Sequence, residues 1–145
     1  MPINGYTVGN DTSVDIVDPY GGPINLAKII NFEAKPKTNS VEVTALNGQT
    51  DEMLIPKGWS GTFEVERTDS TLEDFWARWE SDYYNGAPQL PSAATITDTT
   101  LENNGSRTTY RFTKVQLKLE SAGKREGGKT VRMQVSFTAQ RRLKV

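Results

Sequence analysis

The sequence contains neither cysteine nor histidine. Without thiols there is no disulfide, no thiolate nucleophile and no soft metal site. Without imidazole there is no Ser-His-Asp triad and no side chain that shuttles protons near neutral pH at its ordinary pKa. Most hydrolytic and metalloenzyme mechanisms are thereby excluded, and neither catalysis nor a cofactor is expected. Long apolar runs are missing too. No stretch approaches the roughly 18 residues of a membrane-spanning helix. The start, Met-Pro-Ile-Asn-Gly-Tyr-Thr-Val-Gly-Asn, lacks the basic patch and apolar run of a secretory signal, so synthesis in the cytoplasm is expected. Net charge is almost absent as well, with 17 basic against 18 acidic side chains.

That near-neutrality is a cancellation. Residues 1–105 carry 6 basic and 16 acidic side chains, whereas residues 106–145 carry 11 basic and 2 acidic. A chain divided in this way is suited to pairing with itself, with neighbouring copies, or with a polyanion. Its 145 residues suffice for one domain that buries roughly 68–70% of its unfolded surface, and are too few for two ordinary cores. A single domain over residues 1–145 is expected.

Threonine is the commonest residue, with 17 copies, and with Val and Ile it supplies β-branched side chains suited to strands. Trp59, Gly61, Phe63 and Val65 alternate with Ser60, Thr62, Glu64 and Glu66. Val131, Met133, Val135, Phe137 and Ala139 alternate with polar residues in the same way. Both segments read as half-buried antiparallel strands. Further strands are expected over 12–18, 24–35, 40–46 and 93–101. Residues 107–120 read as a strand whose apolar parity breaks between Tyr110, Phe112 and Val115, Leu117, Leu119; a bulge near Thr113-Lys114 would return all five to one face.

One segment departs from the two-residue period. Leu72, Phe75, Trp76, Trp79 and Tyr83 follow helical spacing, Ser70-Thr71-Leu72-Glu73 has the form of a capping box, and Asn85-Gly86 is a stop signal. A helix over 71–84 is expected, with its aromatic stripe packed on the core. The fold class read from these patterns is mainly β, an antiparallel β-sandwich or open barrel with one flanking α-helix.

Two motifs are deceptive. Gly123-Lys124-Arg125-Glu126-Gly127-Gly128-Lys129-Thr130 matches the phosphate-loop pattern, whose chemistry requires a helix N-terminus after the loop. Here a period-2 strand follows, which places the match in a hairpin loop. The basic side chains from Arg107 to Lys144 are candidates for phosphate contacts, so a β-barrel nucleic-acid-binding protein is the alternative from another class. Against it, Tyr110, Phe112 and Phe137 share the apolar parity instead of forming an exposed stacking platform. Carboxylate pairs such as Asp51-Glu52 have neither catalytic nor calcium-loop spacing, and no metal site is expected. An outer-membrane barrel would need aromatic girdles at both ends of its strands, whereas five aromatics cluster between residues 75 and 84.

The order of elements resembles a known family. A short N-terminal strand is followed by Ile30-Asn31-Phe32-Glu33-Ala34-Lys35, Val41-Glu42-Val43, a long connection, Gly58-Trp59-Ser60-Gly61-Thr62-Phe63-Glu64-Val65, one helix and three closing strands. This arrangement is similar to bacteriophage tail tube proteins, in particular the short tube proteins of contractile-tailed phages and phage-like particles. The resemblance implies a structural virion protein of the tail, made in the bacterial host cytoplasm. Copies would assemble into stacked, sixfold rings around a lumen through which DNA passes without specific contacts. It also implies partners in the sheath, baseplate and tape-measure proteins, with no membrane insertion of the subunit. A tail terminator is the neighbouring alternative.

On that basis an N-terminal arm, residues 1–11, and an extended loop, residues 47–58, are expected to reach other subunits. Met53, Leu54, Ile55 and Pro56 in the loop and Arg141 and Arg142 in the tail are the candidate inter-subunit contacts. A lumen that lets DNA slide favours neutral or acidic linings, which makes Thr62, Glu64 and Glu66 the candidate lumen-facing residues.

Overall fold

The β-branched stretches form strands and the segment of helical period forms a helix in a computed structural model that describes residues 2–17, 23–24, 29–87 and 94–145. The strands are β1 (Thr12–Val17), β2 (Pro23–Ile24), β3 (Ile29–Thr44), β4 (Thr50–Glu66), β5 (Ala94–Leu101), β6 (Arg107–Ser121), β7 (Arg132–Ala139) and β8 (Arg141–Lys144), with α1 (Thr71–Tyr84) between β4 and β5. All pairings are antiparallel. The expected mainly-β fold is the one observed, with one α-helix among the described residues. Expected strand residues Asp18, 25–28 and Ala93 lie outside the described residues.

Two sheets share β6. One runs β2-β1-β5-β6-β8 and the other β6-β7-β4-β3. The first half of β6, Arg107 to Val115, pairs with β5, and the second half, Gln116 to Ser121, pairs with β7. The changeover lies at the parity fault. Ile96 opposes Phe112 and Ala94 opposes Val115, so Thr113 and Lys114 together face Thr95, and Lys114 adopts φ +50°. This bulge turns the strand from one sheet into the other. It also leaves Phe112, Val115 and Leu117 buried on one face, with Tyr110 and Leu119 half-buried beside them.

The core fills the space between the sheets. Phe63, Phe112 and Phe137 are fully buried with Ile16, Ile96, Val115, Met133 and Val135 around them. Phe32 stacks on Phe137 at 5.5 Å between centroids, and Phe112 meets Phe137 edge-on at 5.6 Å. Each such side chain contributes roughly 1.5–3 kcal/mol by leaving water. Gly61 lies beneath Phe137: a Cβ there would sit 2.7 Å from the ring and strike the Glu33 carbonyl oxygen, so only glycine lets β3, β4 and this ring approach so closely.

Two expectations are revised. Residues 47–58, expected as an extended loop, form a tight turn and the first half of β4. The turn is closed by Ala45 N donating to Gln49 O and Gly48 N to Ala45 O, after which Thr50 to Gly58 pair with Thr44 to Lys37. The two strands expected over 24–35 and 40–46 are correspondingly joined, with β3 running unbroken from Ile29 to Thr44.

The helix keeps its expected span, but its start and its buried face differ. Ser70 makes no side-chain cap bond. Asp69 Oδ1 accepts from Thr71 N at 3.1 Å, and Glu73 turns away to accept from Arg67 Nε at 2.7 Å. The ion pair takes the carboxylate that a capping box requires. Leu72 and Phe75 are buried and Trp76 packs against the core, whereas Trp79 and Tyr83 remain exposed. Only the first two turns of the stripe reach the sandwich.

Candidate functional site

The most conspicuous surface is the β3–β4 ribbon. β7 covers β4 only from Trp59 onward, so residues 37–58 continue as two strands with no third among the described residues. This extension is about 25 Å long at 3.3 Å per residue. Cross-strand pairing places Val41 opposite Met53, Val43 opposite Asp51 and Asn39 opposite Ile55 on one face. Val43, Met53 and Ile55 there are each about half exposed, at 49%, 51% and 48%. Leu54 lies on the other face, opposite Ser40 and beside the directly opposed pair Glu42 and Glu52. Pro56 sits at a register shift beside Lys37 and Thr38, where a missing N–H interrupts no third strand. The ribbon thus has one apolar and one acidic face, and its apolar face has no cover within the described residues.

The second surface is the outer face of the β6-β7-β4-β3 sheet. Phe63 and Val65 point inward, so Thr62, Glu64 and Glu66 point out. Thr62 lies between Glu33 and Ser136. Glu64 accepts from Asn31 Nδ2 and Gln134 Nε2, each at 3.1 Å. Glu66 accepts from Thr130 Oγ1 at 3.3 Å and lies 3.7 Å from Arg132 Nε. Glu33 pairs with Lys35 and Glu120 with Lys118, and the Ser136 hydroxyl holds the Glu120 carboxyl below its ordinary value. The face is a sheet of hydroxyls and amides in which these carboxylates have a cationic or hydrogen-bonding neighbour.

β8 separates the two arginines named from the sequence. Arg141 is exposed on the outer face of its sheet. Arg142 turns inward, its guanidinium carbon 3.6 Å from the Tyr110 ring centroid and 4.9 Å from that of Trp59. Its Nη2 is 4.0 Å from Asp98 Oδ2. Burial raises the Asp98 carboxyl above its ordinary value, and the Arg142 charge opposes that rise. Both residues line a cleft of about 830 Å³, with Phe32, Trp59 and Val14 among its walls. β3 is the end strand of its sheet, and among the described residues no further strand pairs with its outer edge.

The charge division along the sequence is partly cancelled inside the fold. Arg125 reaches Glu73, Arg132 reaches Glu66 and Arg142 reaches Asp98. In the Gly123–Thr130 loop, Lys124 and Lys129 both close on Glu126. That loop connects β6 to β7, so no helix N-terminus follows it. Among the described residues no group of three potential metal ligands occurs, and no helix is long and apolar enough to cross a membrane.

What the sequence reading missed is the ribbon's sidedness and the exposed half of α1. The pairing register was the signal needed for the first: once Val41 is set against Met53, the alternation on each strand assigns the faces.

No protein-family model and no curated protein matches the sequence. Solved structures share its fold. A chain from the PVC sheath/tube terminator of an extracellular contractile injection system, in the extended state, matches with a TM-score of 0.60 at 13% identity, over 100% of this chain and 97% of the other. A chain from the PVC sheath-tube complex matches at 0.56 and 12% identity, over 91% and 87%. A chain from the virion of a native gene transfer agent particle matches at 0.51 and 10%, over 95% and 98%. The chain therefore has, nearly from end to end, a fold found in the tube-related parts of contractile injection systems and phage-like particles, in agreement with the resemblance read from the sequence.

Proposed function

We propose that this chain is a structural, non-enzymatic tail subunit that assembles into stacked, sixfold rings forming the tube through which DNA leaves a virion. The observation that carries this reading is the uncovered β3–β4 ribbon. An isolated two-stranded ribbon is marginal in water, and one with an exposed apolar face gains stability by laying that face on a neighbour. Met53 and Ile55 are the contact residues of this proposal, with Leu54 and Pro56 flanking them and Arg141 at the C-terminal strand. The edge of β3 that no described strand pairs gives a second reason for association, because an adjacent copy removes an open edge. The near-neutral face around Thr62, Glu64 and Glu66 is suited to line the lumen, since a duplex slides past hydroxyls and paired carboxylates without the counterion release that drives binding. Sheath, baseplate and tape-measure proteins are the proposed partners.

A tail terminator is the second reading, favoured by the full-length likeness to a chain of a sheath/tube terminator structure. Electron microscopy of the purified protein separates the possibilities. Rings that stack into open-ended tubes are expected. Single rings that never stack favour the terminator. Persistent monomers whose DNA affinity falls steeply with salt would overturn both in favour of nucleic-acid binding.

A further inference from the structure

The second half of α1 projects an aromatic face that the described residues do not cover. Trp79 stacks on Trp76 with centroids 4.8 Å apart, Tyr83 continues the stack at 6.5 Å, and Tyr84 meets Tyr83 edge-on at 5.4 Å. Tyr83 is 63% and Tyr84 81% exposed. Glu80, also exposed, lies one turn beyond Trp76 and one turn before Tyr83 and Tyr84, within the same stripe. The last turn of the helix holds no basic residue of its own to offset the negative end of the helix dipole. The face is apolar at its centre and negative at its rim.

A surface of the opposite kind lies on the other sheet. Arg111 pairs with Leu143 and Thr113 with Arg141 across β6 and β8. Because Phe112 is buried and Arg142 turns inward, Arg111, Arg141 and Leu143 all point outward. Leu143 is thus an exposed apolar residue between two exposed guanidinium groups. The start of α1 and the strand β8 lie along different parts of β6. α1 begins beside the loop that follows Ser121, where Glu73 meets Arg125, whereas β8 lies along Tyr110 to Thr113. Both are exposed, so they do not cover one another within a chain.

We propose that the Trp79–Glu80–Tyr83–Tyr84 face of one copy docks on the Arg111–Leu143–Arg141 surface of a second copy. This rests on the reading of the chain as a self-assembling subunit and names one of its interfaces. Such a contact joins different surfaces of identical chains, the head-to-tail kind that closes rings or extends stacks. Its chemistry is arginine laid over aromatic rings with a carboxylate alongside. The fold already uses that combination internally, where Arg142 lies over Tyr110 beside Asp98.

The test compares the full-length protein with two double variants, Trp79→Ser/Tyr83→Ser and Arg111→Glu/Arg141→Glu, by sedimentation velocity over a concentration series and by electron microscopy. All four positions are exposed, and circular dichroism checks that the fold is kept. Each variant is expected to raise the concentration at which assembly begins at least tenfold. Adding Glu80→Arg to Arg141→Glu is expected to recover part of that loss relative to Arg141→Glu alone. Variants that assemble at the wild-type concentration, or a charge swap no better than the single reversal, would overturn the docking contact while leaving the tube reading intact. A wild-type protein that never assembles would overturn both.

Discussion

Arg142 lies over Tyr110, its guanidinium carbon 3.6 Å from the ring centroid, and so carries a cation from an exposed terminal strand into the mouth of the core. The stack, the Trp59 ring and the nearby Asp98 carboxylate together compensate for the water the guanidinium gives up. Removing it leaves Asp98 without its cation and the two rings without their cover. Arg142→Ala is expected to cost about 2–3 kcal/mol in urea denaturation. Arg142→Lys should fall between the two, because an ammonium keeps the charge but not the planar stack. A loss below about 1 kcal/mol for the alanine variant would show that the stack contributes no more than an ordinary surface pair.

Asp98 makes the same region pH-dependent. Burial raises its carboxyl above the ordinary 3.8, more than Arg142 lowers it. The folded state therefore holds this proton more tightly than the unfolded state, and the ionised form costs stability at neutral pH. The cost is relieved as pH falls through the raised value and is gone below 3.8. Wild type should gain stability relative to Asp98→Asn between pH 7 and pH 4, read from paired urea titrations. A relative loss over that interval would mean that the Arg142 attraction outweighs desolvation.

Much of this arrangement was legible in the sequence, for reasons that differ by element. The bulge at Thr113-Lys114 was readable because apolar residues on both sides of it have an inner face to point at, so a parity fault is visible. The helix was readable from Leu72, Phe75 and Trp76, but period alone does not say how far the partner surface extends, and Trp79 and Tyr83 lie beyond it. The ribbon's second strand, within the expected loop 47–58, was hidden for the complementary reason. From Lys37 to Thr44 and from Thr50 to Lys57 almost every residue is exposed, so no burial imposes an alternation strong enough to outweigh Pro36, Asn47-Gly48 and Pro56. The inward turn of Arg142 depends on Tyr110, Trp59 and Asp98, which come together only in the fold.

The bulge itself is strained at Lys114, a non-glycine residue at φ +50°. A branched Cβ tolerates that conformation worst, so Lys114→Ile is expected to lose about 1–2 kcal/mol. Lys114→Gly should be nearly neutral, since relief of strain is offset by the greater freedom of glycine in the unfolded chain, about 0.4–1 kcal/mol. Denaturation midpoints of the two variants, compared at constant slope, check this. Equal losses for both would indicate that the Lys114 side chain, not its backbone, matters at this corner.

The ribbon supplies the sharpest test of assembly, because its register assigns different work to adjacent residues. Met53 and Ile55 share the apolar face with Val41 and Val43, while Leu54, though 66% exposed, sits on the acidic face opposite Ser40. In the monomer none of the three is packed on the core, so serine at any of them should change subunit stability by less than about 0.5 kcal/mol. In a stacked tube the two faces part company. Met53→Ser/Ile55→Ser removes apolar area from the side that needs a neighbour, and should abolish tubes in electron micrographs while leaving a folded subunit. Leu54→Ser should assemble nearly as well as wild type. If Leu54→Ser were the more damaging change, the neighbour would lie against the Glu42–Glu52 face. If the double variant unfolded instead, the ribbon would be folding back on its own sheet, with Met53 and Ile55 serving the core.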